Sequence, residues 1–179
     1  ITFRTAGFAS LDQASLTDPS KLIGSVLMFV GTSSASTGGG VKTTTAALLA
    51  LLVLQVVRGH ERITVFKREI SADTARRAVT IVLIAFSAIL IATCVISVIE
   101  RGRGHDFLDL LFETTSAFST TGLSSVNTTT LTPASQWLLM PLMYFGRVGP
   151  LTLAYALANR LESRRANRVH YPEEKIMIG

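Results

Sequence analysis

Two short stretches of the chain share one pattern, Phe-x-Thr-x-Gly followed by a bulky apolar residue. The stretches are "FRTAGF" at residues 3–8 and "FSTTGL" at residues 118–123. Rings of backbone carbonyl oxygens can replace the hydration shell of a potassium ion, and glycine allows those carbonyls to turn inward. We therefore interpret both stretches as ion-binding loops; a helix end in an extracellular turn is the alternative. The candidate ion-binding residues are Thr5, Ala6, Gly7, Phe8, Ser119, Thr120, Thr121, Gly122 and Leu123.

The number of these loops bears on how much of the protein the chain represents. Each loop holds one such glycine, which predicts a short filter with few carbonyl layers and less strict selectivity. Two loops cannot close a ring around an ion, and a filter of this kind needs about four. Either two more loops precede Ile1 or two chains pair. The first copy lacks the helices that stand before the second, so we expect a C-terminal portion of a longer polypeptide.

A third stretch, "GTSSASTGGGVKTTT" at residues 31–45, suits either a phosphate-binding loop or an unwound part of a membrane helix. A phosphate-binding loop needs the spacing G-x-x-x-x-G-K-[ST]. Here Val41 separates Gly40 from Lys42, and no glycine stands five residues before Gly40. The spacing therefore argues against nucleotide hydrolysis. We expect a helix broken at its three glycines that loops into a cavity below the filter, with a plain kink as the alternative.

Two basic residues within the apolar regions are candidates for a gate. Lys42 could act as a gate charge or extend to the cytoplasmic surface. Arg147 lies well inside the last apolar region, where a charge costs at least about 2.5–3.5 kcal/mol on insertion scales. A fixed positive charge would impede cations, so we interpret Arg147 as a barrier; an ion pair with an acid elsewhere in the protein is the alternative. The candidate gating residues are Gly38, Gly39, Gly40, Lys42 and Arg147.

The composition and the apolar segments predict a membrane protein. The chain is 48% hydrophobic and 16% charged, whereas soluble domains carry about 25% charged residues. Residues 78–99 are an uncharged run of 22, enough to cross a hydrocarbon core of about 30 Å. Residues 22–57 and 134–158 are further apolar regions, each interrupted by glycines. The single cysteine, Cys94, excludes a disulfide framework and a Cys-rich metal site.

Residues 106–118 predict a helix that is too short to cross a bilayer and is therefore re-entrant. Asp106 is the expected N-cap, Asp109 adds favourable charge in the first turn, and Glu113 is expected to be buried and paired. A spanning helix, a re-entrant helix, a polar loop and an interrupted helix follow one another. This order predicts an all-α membrane protein built from outer helix–pore helix–inner helix repeats arranged around a pore, like a potassium channel.

The basic residues predict an orientation in the membrane. Six Lys or Arg lie in residues 58–77 and five follow Asn159, whereas the opposite side holds only Lys21, Arg101 and Arg103. The positive-inside rule places the first two segments in the cytoplasm. Because the net charge of +5 is concentrated in these segments, it does not indicate binding to nucleic acid.

Four motifs together resemble the bacterial Trk/Ktr/HKT superfamily of potassium transporters. They are "TFRTAGF", "STGGGVKTTT", "FETTSAFSTTGLS" and "FGRVGPLTLAYAL", and the final "YPEEKIMIG" is most similar to the membrane subunit of the Ktr type. The resemblance implies four pore repeats in one subunit. Residues 1–57 would then be the end of the third repeat, 58–77 a cytoplasmic linker, 78–159 the fourth repeat and 160–179 a cytoplasmic tail.

The resemblance also implies a function and partners. It implies potassium uptake across the cell membrane, often sodium-dependent, by a dimer of membrane subunits under the control of a cytosolic nucleotide-binding ring. Gly7 and Gly122 match the filter glycines, residues 31–42 match the intramembrane gating loop, and Arg147 matches an arginine of the conduction path. No covalent cofactor is implied; K+ and possibly Na+ would occupy the filter, and nucleotide would bind only the regulatory partner. A sodium-permeable or Trk-type relative, a membrane enzyme with an ATP-binding loop and a plain membrane anchor are the alternatives.

Overall fold

The computed structural model of the chain describes residues 7–9, 12–33, 38–58, 64–65, 68–69 and 72–149. Five helices account for most of these residues. The predictions made for Thr5 and Ala6, and for the tail beyond Gly149, lie outside the described residues. The helices are α1 (Asp18–Phe29), α2 (Thr43–Val57), α3 (Ala72–Ile99), α4 (Phe107–Ser119) and α5 (Pro133–Val148).

Short non-helical elements connect the helices. Strands β1 (Thr64–Val65) and β2 (Arg68–Glu69) form a two-residue antiparallel pair in the predicted cytoplasmic linker. Single turns of 3-10 helix precede α1 and α5, at Gln13–Ser15 and Thr128–Thr130. Apart from the small strand pair, the described chain is helical, as the all-α prediction required.

Helix α3 is the helix whose length and composition suit a membrane span. Residues Asp73–Ile99 pass that test among the described helices, and 28% of their most apolar window is buried inside the structure. The buried stripe repeats at helical spacing, whereas large side chains such as Phe86 and Val98 are exposed. Such a helix presents one face to the protein and leaves the rest for lipid or further helices. The buried stripe consists of Ala85, Ile89, Ala92 and Ile96.

The spanning helix begins earlier than predicted, at Ala72 instead of Ala78. The added segment, "ADTARR", is polar but rich in alanine and arginine, which are strong helix formers. Asp73 lies in the first turn, where its negative charge is favourable at a helix N-terminus. Hydropathy alone marks the apolar part of such a helix and not its polar first turns.

Helix α4 is the central element of the described fold, and it contacts α1, α3 and α5. Its residues from Phe112 to Ser119 are all buried. Phe112 packs with Met28 of α1, and Phe118 joins the main apolar cluster with α3 and α5. A hydroxyl pair, Thr93 with Thr114 at 2.7 Å, links α3 to α4 inside that core. The predicted re-entrant helix is thus held on three sides.

Candidate functional site

Gly7, in the described part of the first predicted ion-binding loop, lies beside the second loop. Gly7 and Gly122 both have positive φ, 68° and 81°, a conformation that L side chains rarely adopt. A Cβ built on Gly7 would lie 2.6 Å from the Thr121 carbonyl oxygen, and one on Gly122 would lie 3.8 Å from the Gly7 Cα. The tertiary fold therefore brings together two glycines that are far apart in sequence.

The second loop is shaped by the way α4 ends. Thr120 adopts the left-handed conformation, with φ of 53° and ψ of 35°, and its N–H bonds the Ala117 carbonyl. The Thr121 N–H donates to the Ser116 carbonyl at 3.0 Å. The Ser119 and Thr121 hydroxyls lie 2.7 Å apart and are buried. Intrahelical carbonyls are thus satisfied at the helix end, and the chain turns sharply into the loop.

Side-chain exposure differs along these loops. Thr121 and Leu123 are buried, and Thr120 is half-buried. Gly122 is exposed, and Phe8 is 78% exposed. A cavity of about 350 Å³ opens between the loops and is lined by both glycines together with Asp12. The carboxylate of Asp12 places a negative charge at this opening. The ion-binding role of the loop residues stays a prediction.

The glycine run interrupts a helix, and the break is longer than the run itself. Helix α1 ends at Phe29 and α2 begins at Thr43. The two ends of the break are held together, because the Gly31 N–H donates to the Val41 carbonyl at 2.8 Å. The Thr43 N–H donates to the Thr32 carbonyl at 3.2 Å. The described ends of the break are therefore bonded to each other.

Residues 38–41, which we name the glycine segment, lie against the end of α4. The Gly39 N–H donates to the Thr120 hydroxyl at 3.1 Å. A Cβ on Gly39 would meet the Thr120 side chain at 2.8 Å and the Ser119 carbonyl at 3.0 Å. Gly40 has a φ of 80° and is also buried. At Gly39 a side chain lacks room, whereas at Gly40 it is the positive φ that favours glycine.

Lys42 folds back towards the glycine segment. Its Nζ donates to the Gly38 carbonyl at 2.6 Å, and its side chain is half-buried. Both interpretations of Lys42, as a gate charge and as a side chain that extends to the cytoplasmic surface, stay predictions.

Arg147 lies in the last turn of α5 and is exposed in the described structure. Its neighbour Gly146 is the point at which α5 crosses α4. A Cβ on Gly146 would overlap the Phe118 carbonyl oxygen and lie 2.6 Å from the Phe118 carbonyl carbon. The glycines predict an interruption of the last apolar helix, but α5 continues to Val148 and Gly146 lies within it. Its packing role was signalled by a glycine inside an apolar helix, where glycine is otherwise unfavourable.

Two carboxylates on α4 have partners around the loops. Glu113 is buried and accepts hydrogen bonds from Ser124 at 2.7 Å and from Thr128 at 3.1 Å. Its predicted burial is confirmed, and these partners are hydroxyls. Asp109 forms an ion pair with Lys21 of α1 at 2.6 Å, and Lys21 is only 7% exposed. Asp106 occupies the predicted N-cap position but makes no side-chain capping bond.

The Lys21–Asp109 pair was missed at the level of sequence. From the sequence, Lys21 is a positive charge on the predicted outer side, and Asp109 is a favourable charge in the first turn of a helix. The pair joins the inner helix of one predicted repeat to the pore helix of the next. Its signal in the sequence is a lysine at the edge of an apolar segment, which does not name its partner.

Glu100 is a second anchor that sequence analysis missed. It follows the last residue of α3 and is 2% exposed. Its Oε1 accepts hydrogen bonds from the Thr132 N–H at 2.8 Å and from the Thr132 and Ser135 hydroxyls at 2.6 Å each. These donors belong to the N-cap and first turn of α5, where a negative charge is favourable. Glu100 therefore ties the C-terminal end of α3 to the beginning of α5.

Replacing Glu100 by glutamine is expected to destabilise the full-length protein by about 1–3 kcal/mol, since hydrogen bonds to a charged group lose that charge. Thermal unfolding in detergent at neutral pH measures the loss as a lower Tm. The matched control is Asp106→Asn, which neutralises an exposed carboxylate that makes no capping bond. An equal drop in both variants would contradict the anchoring role of Glu100.

The effect of Glu100 is expected to depend on pH. Burial of the carboxyl raises its pKa, but hydrogen bonds from Ser135 and Thr132 and the charge of Arg103 lower it, so that the net pKa lies below the ordinary value of 4.5. A carboxyl whose pKa is lowered by folding stabilises the folded state when the pH is above its pKa in the unfolded chain. This stabilisation is lost as the pH falls through its pKa in the folded protein. The difference in Tm between the parent and Glu100→Gln should therefore shrink below about pH 4.5.

A membrane-length helix, a broken helix and two adjoining glycine loops are features of a helical membrane transport protein. The chain belongs to the TrkH family of cation transport proteins, and the family model matches residues 1–169. The resemblance drawn from the four motifs is thereby confirmed. The members of this family are transport proteins, so the argument against nucleotide hydrolysis is also confirmed.

Three curated relatives illustrate the similarity. Ktr system potassium uptake protein D of Bacillus subtilis is 36% identical over 98% of this chain and 38% of its own length. Ktr system potassium uptake protein B of Vibrio alginolyticus is 34% identical over 98% of this chain and 37% of its own. Potassium/sodium uptake protein NtpJ of Enterococcus hirae is 35% identical over 100% of this chain and 40% of its own length. The chain thus spans about two fifths of the length of these relatives.

Proposed function

We propose that this chain is part of a transporter that takes up potassium through the cell membrane by channel-like permeation. The observation that carries the proposal is that Gly7 and Gly122 adjoin, both with positive φ. A Cβ built on Gly122 would lie 3.8 Å from the Gly7 Cα. Two further loops, supplied by the N-terminal half of the same polypeptide, would complete a four-repeat selectivity filter. The names of the relatives, which include potassium uptake, support this substrate.

The chemistry proposed for the filter is replacement of water by protein oxygen. A potassium ion that enters the filter exchanges its hydration shell for carbonyl oxygens of the loops. Helix α4 ends at Ser119, and the negative end of its dipole, at the start of the second loop, favours a cation there. With one glycine in each loop, the filter would hold few carbonyl layers. The Thr120 and Thr121 hydroxyls would add oxygen near them.

We propose that the glycine segment and Arg147 together form the gate. The segment is supported as a gate by its position against the end of α4, where the Gly39 N–H bonds Thr120. The positive charges of Lys42 and Arg147 would oppose a cation on the inner side of the filter. Opening would then require both the segment and the Arg147 side chain to leave the ion path.

The proposed assembly is a homodimer of membrane subunits in the lipid bilayer, with a cytosolic nucleotide-binding ring as regulator. The names of two relatives, which place them in Ktr systems, support association with further components. The distribution of basic residues supports a multi-pass arrangement with a cytoplasmic C-terminus. Nucleotide would bind to the regulatory ring and not to this chain.

A sodium-permeable transporter is the second candidate, and two observations favour it. One relative is named a potassium/sodium uptake protein. In this chain, Ser119, Thr120 and Thr121 give the second loop three hydroxyls in a row. Sodium as a co-transported or competing ion is compatible with both.

Potassium uptake by the full-length protein tests the proposal. In a bacterial strain that lacks its own potassium uptake systems, expression with the regulatory partner is expected to restore growth at low potassium. Uptake of a potassium tracer should saturate, and replacing sodium by choline in the same assay measures the sodium requirement. Uptake of sodium alone, with no rescue at low potassium, would favour the second candidate and contradict the first.

A further inference from the structure

The contact between the glycine segment and the filter consists of one directed hydrogen bond within tight packing. The Gly39 N–H donates to the Thr120 hydroxyl at 3.1 Å across 81 positions of sequence. Gly39 is buried and Thr120 is half-buried, so the bond is partly shielded from water. A Cβ built on Gly40 would lie 3.4 Å from the Ser119 Cβ. The segment therefore rests on the residues that begin the second loop.

Thr120 has a backbone conformation that its residue type disfavours. It has a φ of 53°, and it is the one residue other than glycine with positive φ in the described parts of the chain. A β-branched residue in the left-handed region is an outlier, which persists only when the surroundings maintain it. Glycine or asparagine would fit that backbone better. A threonine there is explained by its hydroxyl, which accepts the bond from Gly39.

The segment beside the glycines holds a buried polar group without a hydrogen-bond partner. Thr32 is 5% exposed, and its Oγ1 accepts and donates no hydrogen bond in the described structure. A buried unsatisfied hydroxyl costs free energy. The arrangement around the helix break thus includes one unsatisfied group beside the bonds and the packing that hold the glycine segment.

We propose that Thr120 is a positioning residue that latches the glycine segment to the filter. In the latched state the Gly39 N–H occupies a lone pair of the Thr120 hydroxyl. When the segment leaves, the bond breaks and that lone pair becomes available to an ion or to water in the filter. The same side chain thereby couples the position of the segment to the oxygen ligands of the second loop. This inference rests on the proposed function, since it concerns how the glycine segment regulates the proposed filter.

The reactivity of a buried cysteine in the glycine segment measures how often the segment leaves its observed position. Val41 is 1% exposed, so a thiol at Val41→Cys reacts with a water-soluble methanethiosulfonate only when the segment moves. The experiment uses the full-length protein with its other cysteines replaced. Adding Thr120→Val, which removes the hydroxyl and keeps the shape, is expected to raise the reaction rate by about threefold to tenfold, the range that one net hydrogen bond supplies.

Two variants separate the latch from a general loosening of the fold. Thr120→Ser retains a hydroxyl and should react at the parent rate. Thr115→Val removes a hydroxyl that bonds only the Leu111 carbonyl of its own helix and should also leave the rate unchanged. If Thr120→Val does not yield monodisperse protein, Thr120→Ala replaces it with the same expectation.

Each outcome decides for or against the latch. Equal rates in Thr120→Val and the parent would overturn it, and so would equal acceleration by Thr115→Val. Potassium uptake by the unsubstituted full-length protein is measured in parallel and judges the proposed function separately. If that protein takes up potassium but the thiol rate does not change with Thr120→Val, the latch alone is removed; if the thiol rate changes but the unsubstituted protein takes up no potassium, the function alone is removed.

Discussion

Replacing Gly146 by alanine is expected to abolish potassium uptake and to prevent accumulation of folded protein in the membrane. The added Cβ would overlap the Phe118 carbonyl oxygen and lie 2.6 Å from its carbonyl carbon. These are backbone atoms at the end of α4, so no change of rotamer relieves the overlap. Ordinary overpacking costs about 1–3 kcal/mol. Here α5 must separate from α4, which disrupts the main core and the second loop together.

A second glycine-to-alanine variant provides the matched control. Gly24→Ala also places a methyl group at a helix contact of α4, but its Cβ would meet a ring carbon of Phe112 at 3.0 Å. A side-chain ring can shift by a few tenths of an ångström, and alanine favours a helix by about 1 kcal/mol over glycine. Membrane abundance and size-exclusion profiles of the full-length variants are compared. Normal abundance and uptake in Gly146→Ala would contradict the observed crossing of α4 and α5.

Replacing Gly7 by serine is expected to lower the preference for potassium over sodium by at least about tenfold, equivalent to about 1.4 kcal/mol. The Cβ of the introduced serine would lie 2.6 Å from the Thr121 carbonyl oxygen, which is a proposed ion ligand. The positive φ of 68° adds strain, of roughly 1–2 kcal/mol for an L residue. The filter must therefore deform, and the deformation moves carbonyl oxygens on the opposite loop as well.

Gly122→Ser should have the same direction and a smaller effect. Its Cβ has open space, with the Gly7 Cα at 3.8 Å as its nearest neighbour, and only the φ of 81° opposes it. Gly102→Ser is the control, because Gly102 has a φ of 89° in the turn after α3 and a Cβ there would have nothing within 4 Å. Competitive uptake of potassium and sodium tracers measures the preference. Unchanged ion preference in both filter variants would contradict the proposed filter. A changed ion preference in Gly102→Ser would show that backbone strain alone produces the effect.

The sequence predicted the helical elements well wherever the signal was local. The uncharged run in α3 and the short helix α4 were both anticipated, because hydrophobicity and helix caps act over neighbouring residues. The boundaries were less accurate where polarity and helix propensity disagree, as in the first turns of α3. The break between α1 and α2 was also anticipated, since a run of three glycines weakens a helix whatever surrounds it.

The contacts of the candidate site were not accessible to the same reasoning. The Gly39–Thr120 bond, the Lys21–Asp109 pair and the Glu100 anchor each join residues on different elements. A sequence shows that a lysine or a glutamate borders an apolar segment, and it contains no distance to the group that will satisfy the charge. Many partners are compatible with the same composition.

By itself the sequence determined the membrane character of this protein, its helical class, the repeated Phe-x-Thr-x-Gly loops and the place where an inner helix is broken. These properties follow from residue types and short spacings, which act before the helices pack. Only the tertiary structure decided that the two loop glycines adjoin, that the glycine segment bonds Thr120 and that α5 crosses α4 at Gly146. Such facts depend on how helices far apart in sequence share one core, because the shape of that core selects which backbone atoms come close enough to exclude a side chain.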